Sequence, residues 1–238
     1  MQWRDASRVN HIDFEAVRGL KESKISDNEI TASQRMRNAS REAHAALETT
    51  PVAKLLMSPS LSAYDYWRVL DAWLIVWAPL ERIVKSTFPS QLSVNRMPVM
   101  RSSLLRQDLR GVCDALGEFP QSRVALADSK FAINDLATLA SKWSGWIGIA
   151  YVLQGSILGG AVVASHLQRT LPQDIASCIR FFCPHTHASR NLAADFRLWM
   201  QWLDSELTDS SDQEHASYTA VRTFEFLVRS WNSYPSKQ

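Results

Sequence analysis

His44 lies in an alanine-rich stretch, Arg37-Asn-Ala-Ser-Arg41-Glu-Ala-His44-Ala-Ala-Leu-Glu48. Imidazole is the commonest transition-metal ligand and the side chain that most readily changes charge near neutral pH. Taken alone, such a histidine reads as a core-edge residue holding a backbone carbonyl. The alanines around it, however, leave room for a bulky group above the ring, and Glu48, one turn on, can orient the ring from behind. Arg41 and Arg37 lie one and two turns earlier, where they can meet a ligand's anionic groups or stay solvated.

The second feature is residues 143–166, WSGWIGIAYVLQGSILGGAVVASH, which hold five of the eight glycines: Gly145, Gly148, Gly155, Gly159 and Gly160. There is no proline, so the stretch reads as helix, yet each helical glycine costs about 1 kcal/mol relative to alanine. Gly155 and Gly159 are four apart and share a face, with Gly160 beside them. Bare backbone there asks for a close or flat neighbour: another helix, a membrane partner or a planar ligand.

Other chemistry is absent or weak. GSILGG follows no strand and puts Ser156 inside a helix, so it is neither a dinucleotide fingerprint nor a nucleophile elbow. No Walker loop, HExxH or ExxH carboxylate pairing occurs. Cys178-x4-Cys183-Pro-His185-x-His187 gathers soft ligands, but lacks the two-residue spacing of zinc sites; buried cysteines and a polar loop explain it as well.

The elements that position these residues read as helices throughout. Residues 1–30 are polar and weakly periodic, an extension with a short helix near 12–22. Thr31 or Ser33 caps a helix that Pro51 ends, with Met36, Ala39, Ala43, Ala46 and Leu47 on its apolar face. A short helix follows over 52–57, then a long one over 61–88, whose stripe Tyr66, Leu70, Trp73, Leu74, Trp77, Leu80, Val84 reads as core. Pro79 predicts a kink near Ile75. Further helices are predicted over 100–116, 124–143, the glycine stretch, a short one after Pro172, 187–207 and 214–231, with DSSDQE as a linker. The fold class is all-α: eight or so helices in a single compact domain over 31–232.

Composition agrees with an ordinary globular protein, 46% hydrophobic and 21% charged. A net charge of +2, with scattered basic residues, implies no nucleic-acid partner. Three cysteines are too few and odd for a disulfide framework, and the first residues lack a signal-peptide core, so a cytoplasmic location is expected. Residues 143–165 are uncharged and long enough to cross a bilayer, and GxxxG pairs membrane helices. Gln154, Ser144, Ser156 and Ser165 dilute the apolarity, and a central core helix, not a membrane span, is the expectation.

What remains is a lone histidine in a small-residue helix and a glycine-faced helix elsewhere. A flat iron macrocycle fits between two such helices, with imidazole on the iron from one side and bare backbone over the other. At these residues the sequence resembles a known family. The segment 37–48 resembles the proximal-helix motif of heme oxygenases, and Tyr151-Val-Leu-Gln-Gly155-Ser-Ile-Leu-Gly159-Gly160 resembles their distal helix. Together with YDYWRVLDAW, APLE and LLRQDL, it is similar to the bacterial heme oxygenases associated with bacteriophytochromes, over about residues 31–232.

The resemblance implies a heme oxygenase fold and O2- and reductant-dependent opening of heme to biliverdin, ferrous iron and CO. Heme would be both substrate and cofactor, electrons would come from an external donor (ferredoxin or a reductase), and a bacteriophytochrome could receive the biliverdin. His44 would be the axial iron ligand, supported by Glu48. Arg37 and Arg197 would meet the propionates, with Arg41 and Tyr151 at the same rim. Gly155, Gly159 and Gly160 would roof the distal side. Many relatives carry an aspartate after the first distal glycine, and this chain has Ser156, through which proton delivery would then run. Two other readings stand beside the enzyme: a catalytically silent heme- or bilin-binding relative, and a helical interaction protein whose glycines only permit tight packing.

Overall fold

A computed structural model of the chain describes residues 30–118, 129–183 and 192–234. Eight α-helices lie among them and no strand. They are α1 (Ala32–Glu48), α2 (Pro51–Leu56), α3 (Ala63–Ser86), α4 (Ser102–Leu116), α5 (Ser129–Leu139), α6 (Trp143–Thr170), α7 (Leu192–Glu206) and α8 (Ser210–Asn232).

Local chemistry sets the boundaries. Thr31 opens α1 with a capping box: its hydroxyl accepts from the Gln34 N–H, and Gln34 reaches back to the Thr31 N–H. Pro51 does not end α1. The helix stops at Glu48, Thr50 caps α2, and Pro51 takes the first turn of α2, where its missing N–H costs nothing. Ser62 caps α3, which runs through Pro79 as one helix. Gly117 closes α4 at φ 70°, a left-handed conformation natural to glycine.

Two further predictions from sequence are corrected. DSSDQE is no linker: Asp209 accepts from the Ser211 and Asp212 N–H groups, and α8 starts at Ser210. The short helix after Pro172 is instead a chain of turns. It is tied down by the buried Asp108 of α4, which accepts from the Phe181 N–H at 2.8 Å and from Arg180 at 3.2 Å. The predicted helix near 12–22 and residues 124–128 and 187–191 lie outside the described residues.

α8 is the keel of the molecule. Both α1 and α6 pack along it, while α1 and α6 share no extended packing with each other. Two glycines make the α6–α8 approach possible. A Cβ on Gly148 would lie 2.5 Å from the Ala216 carbonyl oxygen, and one on Gly145 would strike the Leu139 carbonyl and the His215 ring. α7 closes one end, where both carboxylate oxygens of Asp204 accept from Ser33, at 2.7 and 2.9 Å. α6 is apolar and long enough to cross a membrane, and half of its most apolar window is buried against the rest of the chain.

Candidate functional site

The buried face of α1 is formed by Ala32, Ser33, Met36 and Ser40. Ala39 and Ala46, expected on it, are exposed. Arg37, Arg41, His44 and Glu48 step at four and three along its flank, and all four are exposed. The His44 side chain keeps 56% of its surface open. Its ring meets the edge of Phe224 on α8, 5.3 Å between centroids. Glu48 Oε1 lies 3.6 Å from His44 Nδ1, which leaves Nε2 as the nitrogen turned from the carboxylate.

α6 has two faces of different character. Tyr151, Gly155 and Gly159 run at i, i+4 and i+8 on the outer one. A Cβ on Gly159 would meet nothing within 4 Å, and one on Gly155 would touch only the Phe196 ring of α7, at 3.9 Å. Gly160 does not belong to this face. Its Cβ would lie 2.8 Å from the Phe182 carbonyl oxygen, so its bareness serves packing against the 172–183 turns. Ser156 also turns away from the outer face. Its hydroxyl donates to the Leu153 carbonyl at 2.6 Å and accepts from the guanidinium of Arg101.

The two stripes converge at one point. The Tyr151 hydroxyl lies beside Ser40 of α1; burial pushes its pKa up, and the Ser40 hydroxyl and the positive charge of Arg37 pull it back. Ser40 is one turn before His44, and Gly155 one turn after Tyr151. Tyr151 is therefore a point where α1 and α6 come together, with His44 one turn further along α1, Gly155 one turn further along α6, and both helices packed on α8. Arg37 stands at the junction. Arg197 is exposed on α7, next to Phe196, and Arg41 is exposed one turn from Arg37.

Sequence reasoning missed Phe196, Phe224 and Arg101. The first two were ordinary aromatic residues of amphipathic helices. Arg101 carried no signal at all, since a single arginine before a helix reads as surface. The pairing of Cys183 with His185 and His187 lies partly outside the described residues; among those described, no cluster of metal-ligating side chains occurs.

A porphyrin fits these residues. The exposed imidazole has a nitrogen available, α6 presents bare backbone at Gly159, and Arg37 and Arg41 share the flank of α1 with the imidazole. These features and the all-helical fold place the chain in a class of helical proteins with an exposed imidazole on one helix and a bare glycine stripe on another. The heme oxygenase family model matches residues 30–230, so the chain belongs to the heme oxygenase family, the heme-degrading oxygenases.

Solved structures agree on the fold. A heme oxygenase from Leptospira interrogans superposes with a TM-score of 0.68 at 16% identity, over 85% of this chain and 98% of that one. Heme oxygenase-1 from the cyanobacterium Synechocystis, in complex with heme, gives 0.64 at 15% identity, over 85% and 91%. The NO- and CO-bound heme oxygenase from Neisseria meningitidis gives 0.52 at 17%, over 88% and 96%. A comparison of the sequence with curated proteins returns no match.

Proposed function

We propose that the cleft between α1 and α6 holds heme, with His44 Nε2 as the axial iron ligand and Gly155 and Gly159 as the distal roof. The observation that carries this reading is the register of the two stripes: Tyr151, in line with the bare glycines, touches Ser40, one turn from His44. Glu48 orients the imidazole, and Phe224 restrains its edge. Arg37, Arg41, Tyr151 and Arg197 supply the donors and cations that meet the propionates. Bound heme supplies the oxygen chemistry. The protein's part is to orient the ring, keep side chains off its distal face and limit the water around it.

Within this reading, residues 31–232 are the catalytic domain, and the protein works in the cytoplasm with an electron donor such as a ferredoxin or a reductase. The likeness of 151–160, YDYWRVLDAW and LLRQDL to the bacteriophytochrome-associated branch supports biliverdin supply to a phytochrome as the role of the product.

The experiment is aerobic turnover of the hemin complex with ascorbate or a reductase system. Bilin absorbance growing as the Soret band falls is the expected result. A specific observation favours a second reading, a silent heme- or bilin-binding relative: Ser156 is turned to Arg101 and Leu153 and offers no hydroxyl to the cleft. A Soret band that persists under reductant without bilin would select that reading.

A further inference from the structure

Arg101 is 1% exposed, yet it is a cation. It precedes α4 and lies against the rings of Trp77 on α3 and Phe181, 5.1 and 4.5 Å from its guanidinium carbon to their centroids. Its Nη1 donates to the Phe181 carbonyl at 3.1 Å. Its Nη2 donates to the Leu153 carbonyl at 3.2 Å and to the Ser156 hydroxyl. Burial pulls its pKa down to about 10, against an upward push from Glu81, so it stays charged at neutral pH.

Glu81 does not neutralise it by a direct ion pair. That carboxylate instead accepts the backbone N–H groups of Arg101 and Ser102 and so caps α4, whose Arg101 cap has no side-chain partner of its own. A buried arginine without a contacting carboxylate is costly, and an apolar side chain would fill the space more cheaply. The guanidinium's two α6 acceptors bracket Gly155, the point where the helix backbone is softest. The Leu153 carbonyl receives both Arg101 Nη2 and the Ser156 hydroxyl, donors from outside the helical ladder. Both contacts come from the core face, behind the wall that Gly155 and Gly159 present to the cleft.

We propose that Arg101 is a positioning residue of the distal wall: through the Leu153 carbonyl and the Ser156 hydroxyl it fixes the course of α6 at Gly155. This rests on the reading of the cleft as a heme site, and the test separates the two. Hydrogen exchange is followed in the heme-free full chain for wild type, Arg101→Met, Ser156→Ala and, as a destabilised control on the far part of α4, Val112→Ala. Loss of the guanidinium contacts raises exchange over residues 154–160 by about tenfold, the equivalent of one charge-assisted hydrogen bond, with a smaller rise in Ser156→Ala. The α8 amides stay within about twofold of wild type.

The hemin complexes are then titrated with base. The spectral transition of the ferric form moves by about half a pH unit in Arg101→Met, because the α6 backbone at Gly155 is no longer held in place beside the ligand. It also moves in Ser156→Ala and stays in place in Val112→Ala. Unchanged exchange over 154–160, a rise spread equally over α3, α4 and α8, or local loosening with an unmoved transition would each overturn the proposal. If Arg101→Met fails to fold, Ser156→Ala decides by the same readings. If wild type gives no Soret band, the heme reading fails, and exchange alone decides whether Arg101 holds α6.

Discussion

The glycines of α6 differ in what a single methyl group would do. At Gly159 a Cβ meets open space, so Gly159→Ala should stabilise the heme-free protein by about 0.5–1 kcal/mol through helix propensity. Gly159→Phe should leave the fold intact and block hemin binding. At Gly160 the same methyl lies 2.8 Å from the Phe182 carbonyl oxygen, so Gly160→Ala should destabilise by about 1–3 kcal/mol. Urea melts of the three variants check the signs, and hemin titration checks the block. A stabilised Gly160→Ala, or a Gly159→Phe that binds hemin as wild type does, contradicts the assignment of faces. Tyr151→Phe removes the hydroxyl that lies against Ser40 and should cost about 1 kcal/mol by the same melts.

At the scale of elements, the α6–α8 contact carries a pH-sensitive pair. His215 Nδ1 lies 3.0 Å from the Ser144 hydroxyl, and its pKa is lowered by burial and by Lys142, with Asp212 opposing. A lowered folded-state pKa means that the unfolded chain binds the proton more readily. The contribution is therefore present above about pH 6.5 and lost as pH falls through the folded-state value. Stability from urea melts should drop between about pH 7 and 5, and His215→Gln should flatten part of that slope. An unchanged slope would remove His215 from the account.

Much of the element layout was legible because capping signals are local: Thr31 marks a boundary that the structure keeps, and the long helix predicted over 61–88 spans the observed Ala63–Ser86. The failures have physical causes. Pro51 stops a helix only when it sits in the interior, and here it occupies a first turn. DSSDQE looks like a linker until Asp209 is seen capping α8. The turns over 172–183 owe their shape to Asp108, some seventy residues earlier, which no local pattern could announce. For the site, spacing alone gave the shared face of Gly155 and Gly159. The core-side turn of Ser156 and Gly160 became visible only with Arg101 and Phe182 in place.

At the scale of the whole molecule, the keel arrangement explains how two helices with little mutual packing keep a fixed relation, since each is packed along α8. α1 and α6 each lean on α8 and come together at Tyr151. The wall contacts with α8 are tight, at Gly145 and Gly148, while the cleft-facing glycines have no such neighbour in α8. Rigidity thus lies on one side of α6 and access on the other. Hemin should therefore stabilise the protein by mass action, raising Tm with ligand concentration, and His44→Ala should abolish most of that rise.

The most direct test of the central claim is a crystal structure of the hemin complex. The account predicts iron bonded to His44 Nε2, with Gly155 and Gly159 the nearest backbone on the opposite face of the ring. Iron bonded to any other side chain, or a porphyrin seated away from the cleft between α1 and α6, would contradict it.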